Sequence, residues 1–162
     1  MVEFRPSPLE ERILRLYSRH GIHTPGDISL HVFDRVLPIR VIYRYGAAVA
    51  IDTDYEHTVF VDGHQSLPER RVKNAHEIGH LLLHSGIHPW MPPVWHDKQE
   101  WQTTRFAMYS LAPSHMLLKE IRGEEFHCRG AMVASLAEIF CITESFMDER
   151  LLVLEQQMRG AQ

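Results

Sequence analysis

His76-Glu77-Ile78-Gly79-His80 is the stretch of this chain whose residue types and spacing can do chemistry. Two histidines four apart fall on one face of an α-helix, about one turn or ~6 Å along its axis, so both imidazoles can reach one metal ion. Glu77, beside the first of them, is then placed to hold a water and take its proton, which is why the H-E-x-x-H spacing suits hydrolysis. Residue types alone decide little. In a chain with 12 histidines a chance match is on the order of one in ten, so the elements around the motif must carry the reading.

Those elements favour it. Ser66-Leu67-Pro68-Glu69 reads as a capping box with proline in the first turn. Val72, Ala75, Ile78 and Leu82 follow at helical spacing, and Ser85-Gly86 supplies a stop. The motif therefore sits within a helix of about five turns. Gly79 costs roughly 1 kcal/mol there relative to Ala, which is understandable if something must approach that face closely.

A catalytic zinc site has three protein ligands and one open position. The candidate third ligand is Glu100, 20 residues beyond His80, near the start of a helix expected from Asp97 or Lys98 to Leu111 and closed by Pro113. Thr104 lies one turn further along the same face. Asp97 could instead cap this helix, with Glu100 as its capping-box partner. Asp97 and His96 are rival ligands, and His84 is expected to support or pack. Zinc is the commonest ion for such a donor set, and manganese or iron also suit it.

The remainder reads as one α+β domain spanning residues 1–162, with a helical segment over 1–36, the sheet and metal site over 37–113, and a helical segment over 114–162. Ser7-Pro8-Leu9-Glu10 starts a helix whose stripe is Ile13, Leu14, Leu16 and Tyr17, ended by Gly21. Thr24-Pro25-Gly26-Asp27 opens a second helix to about Arg35. Ile39–Tyr43, Ala47–Ile51 and Thr58–Val61 are β-rich runs punctuated by Gly46 and the 52–56 stretch, expected to form a small antiparallel meander packed on the His76 helix. The edge of its last strand could serve as a rail for an extended peptide. Ile87 to His96, with three prolines and two tryptophans, reads as a loop whose aromatics line a cleft or cap the core.

Composition narrows the function classes. Hydrophobic content of 44% and charged content of 23% are those of a soluble globule. A net charge of −4 gives no general affinity for phosphate backbones, so no direct nucleic-acid partner is expected. No secretory signal or membrane span is expected. Cys128 and Cys141 lack C-x-x-C spacing and read as free buried thiols in a reducing cytoplasm.

With these residues in view, Asn74-Ala75-His76-Glu77-Ile78-Gly79-His80-Leu81-Leu82-Leu83-His84 resembles the A-H-E-L/I-G-H-x-L-L-H core of the ImmA/IrrE family of zinc metallopeptidases. Glu100-x-x-x-x-Arg105-Phe106-Ala107-x-x-x-Leu111-Ala112-Pro113 is similar to the family's E-x-E-A-N-x-F-A-x-x-L-L-x-P helix. Leu136 to Ser145, leading to Arg150-Leu151, resembles its closing segment. The likeness runs from about residue 37 to 155. It implies an intracellular, gluzincin-like fold in which His76, His80 and Glu100 hold zinc and Glu77 is the base. It also implies a protein substrate, a helix-turn-helix repressor of phage, mobile-element or stress-response genes. This chain departs from the family where E-A-N becomes Gln102-Thr103-Thr104, which alters the support around the third ligand.

Two other function classes follow from the same residues. Ala131–Phe140 and Glu144–Gln157 outline a helix-turn-helix, so a DNA-binding regulator is one of them. The leading end of its second helix, Glu144, Asp148 and Glu149, would face phosphates, which is unfavourable. The other is an adaptor that binds metal and alters a repressor by contact alone. The candidates for stabilising an oxyanion are Tyr55, Tyr109, His84, His88 and Arg105.

Overall fold

The computed structural model of the chain describes residues 4–29, 31–46, 48–52, 57–84 and 92–160. Tyr55, His88, the Ser85-Gly86 stop and the loop up to Met91 lie outside the described residues. Among the described residues there are seven α-helices and one three-stranded mixed sheet, an α+β protein. They are α1 (Pro8–Arg19), α2 (Val32–Val36), β1 (Ile39–Arg44), β2 (Val49–Asp52), β3 (His57–Asp62), α3 (Leu67–Leu83), α4 (Pro93–Leu111), α5 (Ser114–Gly123), α6 (Arg129–Phe140) and α7 (Glu144–Gly160). The chain divides into two compact units, Ser29–Ala107 and the two terminal stretches Met1–Ile28 with Met108–Gln162. No single described helix is long and apolar enough to cross a membrane.

In the Ser29–Ala107 unit the strand order is β1-β3-β2. β3 runs parallel to β1, with Val41 opposite Val59, and antiparallel to β2, with Ala50 opposite Val59. The expected antiparallel meander is therefore corrected to a mixed sheet with the last strand at its centre. Burial explains the order. A central strand is covered most completely, and β3 carries buried Thr58, Val59 and Val61, whereas β1 carries exposed Arg40 and Arg44 and β2 exposes Val49 and Ile51. Both sides of β3 are taken, so it cannot be the peptide rail; among the described residues the outer strands are β1 and β2. α3 packs on β3 and β2, burying Ala75 and Ile78. Leu82, expected on that stripe, is instead 43% exposed.

The other unit is built of helices. Ser7 caps α1, its hydroxyl accepting from the Glu10 N–H at 3.3 Å. The expected single helix from Pro25 to Arg35 is broken into a 3-10 turn, Pro25–Asp27, before α2. The Asp27 carboxylate holds that turn, accepting from the His23 and Thr24 N–H groups at 3.0 and 2.8 Å. α6 and α7 meet at a bend of 106° through Cys141, which adopts a left-handed φ of 51°, and Thr143 caps α7 by accepting from the Phe146 N–H at 3.3 Å. The two cysteines are free, but neither is buried as expected. Both sit at helix ends, where the chain turns at the surface; Cys128 caps α6.

A fully buried ion pair ties this unit together. Arg150 and Glu10 are both 0% exposed and approach to 3.6 Å. Arg150 donates to the Ala112 carbonyl at 2.9 Å and to Ser114 Oγ at 2.6 Å, and Glu10 accepts from the Ser114 N–H at 2.7 Å. Charges out of water persist only when so completely bonded. Substituting Arg150→Met strands the Glu10 carboxylate and should lower unfolding free energy by about 3 to 5 kcal/mol. Urea denaturation measures this; a loss under about 1 kcal/mol would show the pair to be dispensable.

Candidate metal centre

The site lies wholly within the Ser29–Ala107 unit, on α3 and α4. α3 begins with a reciprocal cap: the Ser66 N–H donates to Glu69 Oε2 at 2.8 Å, and Ser66 Oγ accepts from the Glu69 N–H at 3.4 Å. With its first turn fixed, three turns of regular helix carry His76 and His80 to one face. α4 begins at Pro93, earlier than expected, because proline suits a first helical turn and the Pro92 carbonyl accepts from the Trp95 and His96 N–H groups at 2.9 and 3.2 Å. Val94, Trp95 and His96 are thus helical rather than part of a loop. Asp97 falls inside the helix, so it cannot cap it, and Glu100 is not a capping-box partner.

Gly79 sets the spacing of the two helices. A Cβ there would stand 3.2 Å from the Phe106 ring, 3.2 Å from Thr103 Cα and 3.3 Å from Thr103 Cβ. The approaching object is therefore the α4 backbone at Thr103. Thr103 is fully buried, and its hydroxyl donates back to the Gln99 and Glu100 carbonyls at 3.1 and 2.9 Å. Sequence reasoning gave this residue no role beyond its departure from the family pattern. Gly79 on the facing helix was the signal that could have found it.

At this separation three side chains converge. His76 Nε2 and His80 Nε2 lie 3.2 Å apart, and Glu100 offers Oε2 at 3.2 Å to the first and Oε1 at 3.2 Å to the second. One ligand atom from each falls within 4.8 Å of the others. A tetrahedral ion with ligand bonds of ~2.0–2.1 Å has ligand edges of ~3.3 Å, so the donors are spaced as a divalent cation needs. Their chemistry fits too: two imidazole nitrogens and a carboxylate oxygen. Burial lowers the His80 pKa, and the neighbouring His76 charge adds to it against the opposing pull of Glu100. This favours the neutral ring that binds metal.

Glu77 points from the same turn. Burial raises its pKa above the ordinary glutamate range, while the His76 charge and a hydrogen bond from the Ala50 backbone on β2 pull it back. A half-buried carboxylate with a raised pKa is a stronger base than an exposed one. Of the rivals, His96 Nε2 stands 3.9 Å from Glu100 Oε1 and the Asp97 side chain is 83% exposed. The His84 ring centroid is 5.8 Å from that of His80. Burial lowers the His84 pKa, partly offset by a hydrogen bond to the Gln99 backbone. These side chains surround the three-ligand cluster without joining it.

The family model Peptidase_M78, described as the IrrE N-terminal-like domain, matches residues 35–152. The chain belongs to this family. It is 30% identical over 156 residues to the phage-like element PBSX protein XkdA of Bacillus subtilis (strain 168), covering 96% of this chain and 77% of the relative. The uncharacterized protein YqaB of the same strain is 25% identical over 157 residues, covering 97% and 90%. An IrrE-like peptidase domain implies a metal cofactor, and His76, His80 and Glu100 are a group able to hold one.

Gly79→Ala gains roughly 1 kcal/mol of helix propensity but presses on Thr103 and Phe106. Overpacking costs about 1 to 3 kcal/mol, so net stability should fall or stay level while α4 is displaced. Thermal unfolding and metal titration together test this. A more stable variant with unchanged metal affinity would show that the close approach is not needed.

Proposed function

We propose that this protein is a metal-dependent endopeptidase acting on another protein in the cytoplasm, with a helix-turn-helix repressor as substrate. The observation that carries the proposal is the meeting of two α3 imidazoles and one α4 carboxylate at a common point, with Glu77 on the adjacent α3 position. His76, His80 and Glu100 would hold the ion, most commonly zinc, with manganese or iron as alternatives. A bound divalent cation supplies Lewis acidity, acidifying water and polarising the scissile carbonyl.

The protein's own groups do the rest. Glu77, desolvated and held by the Ala50 N–H, accepts a proton from the attacking water and returns it to the leaving amine. The same hydrogen bond places β2 beside the base. β2 pairs with β3 on one side only, so the part of its outer edge not taken by the Ala50–Glu77 hydrogen bond offers main-chain groups to an extended peptide segment. A folded repressor would have to offer a loop or linker there. Membership of the family and likeness to a phage-element protein support a repressor of phage or mobile-element genes. Direct DNA reading by α6 and α7 is disfavoured despite their 106° bend, because α7 opens on Glu144 and Asp148 engages Arg129 at 2.8 Å.

Glu77→Gln should retain metal and lose cleavage by about 100- to 10,000-fold. The test incubates metal-loaded protein with a candidate helix-turn-helix repressor and follows fragments by mass spectrometry. Equal fragmentation by the variant would overturn the role of Glu77. An intact repressor that nevertheless binds the protein tightly would favour an adaptor over an enzyme. Glu100→Ala should also lower metal content in native mass spectrometry, and full retention would remove Glu100 from the ligand set.

A further inference from the structure

We infer that His96 is the hydrogen-bond donor for the oxyanion that develops when water adds to the scissile carbonyl. The inference rests on the peptidase reading above and goes beyond it by naming a residue that touches the reacting atoms. Peptide hydrolysis places negative charge on the carbonyl oxygen, and a preorganised donor aimed at that position contributes strongly to rate. Such a donor must stand at the mouth of the site, on a rigid element, with a polar hydrogen not already committed.

The other described candidates fail one of these requirements. The Tyr109 hydroxyl belongs to a separate network, taking a hydrogen bond from Gln157 Nε2 at 3.4 Å, with the Arg150 guanidinium 5.1 Å from its ring centroid. Arg105 stacks 5.2 Å above the Trp101 ring. Trp101 and Arg105 share a strip of α4 well around the helix from Glu100. His84 Nε2 is buried behind the His80 ring.

His96 meets all three. It lies one turn before Glu100 on the same face of α4, and its Nε2 is 3.9 Å from Glu100 Oε1. That separation is too long for a hydrogen bond, so a hydrogen carried on Nε2 is not spent on the carboxylate, yet it lies within reach of an atom seated beside it. The side chain is 53% exposed, which leaves it open to substrate. His96 also falls in the first turn of α4, where the helix dipole favours negative charge. Because α4 starts at Pro93, the ring is carried by a helix rather than by a loop. In this role the ring lends a hydrogen bond and no proton leaves it.

Cobalt(II)-loaded protein gives a readout that does not depend on turnover. The probe is a phosphinic pseudodipeptide of alanine, whose tetrahedral oxyanion resembles the addition product. We expect His96→Ala to bind cobalt with unchanged stoichiometry and visible spectrum, and to bind the phosphinate about 100-fold more weakly in calorimetry. His96→Gln, which keeps an N–H near the same place, should recover about tenfold of that loss. Equal phosphinate binding by parent and His96→Ala, or none by either, overturns the inference. A changed cobalt spectrum in His96→Ala also overturns it, by making His96 a ligand. A parent protein that takes up no cobalt overturns the metal-dependent reading itself, and so is distinguishable from failure of His96 alone.

Discussion

The candidate centre depends on how closely two helices can approach. His76 and His80 come from α3, but Glu100 comes from α4, and its carboxylate meets both imidazoles at 3.2 Å only because the backbones touch at Gly79 and Thr103. A side chain added at Gly79 would be a wedge between the helices that carry the ligands. Packed interiors yield little to such wedges, so the distance across the contact transmits directly to the site. Thr103 makes the contact possible from its side by turning its hydroxyl back onto its own helix, so that this hydroxyl is not stranded in the seam.

The sheet contributes position and electrostatics more than mass. With β3 in the central slot, β2 becomes an outer strand against α3, and the Ala50 backbone reaches Glu77. That single hydrogen bond offsets part of the desolvation that raises the carboxyl's pKa. Burial raises the carboxyl's pKa, and the His76 charge and the Ala50 backbone oppose that rise.

In the helical unit the corresponding constraint is polar and buried. Glu10 and Arg150, far apart in sequence, are satisfied by each other and by the turn at Ala112 to Ser114. Removing charges from water is costly, and the unit tolerates it because nearly every donor and acceptor finds a partner with defined geometry. The pair and its partners join α1, α7 and the start of α5 through hydrogen bonds of defined geometry. Tyr17 adds to it, donating to the Ser110 carbonyl at 2.7 Å.

Much of the local structure was legible from residues alone. The Ser66 cap, the extent of α3 and the shared face of His76 and His80 follow from rules that act within one or two helical turns, where backbone geometry leaves little freedom. The existence of three short strands was legible for the same reason. Strand order, the early start of α4, the exposure of Leu82 and the partnership of Glu10 with Arg150 were not. Gly79 showed that something comes close, but nothing in the linear order named Thr103. Sequence by itself determined which side chains each element could present and on which face. Tertiary structure decided which elements meet, because that choice balances burial, hydrogen-bond satisfaction and close packing over the whole fold, and no local window contains those terms.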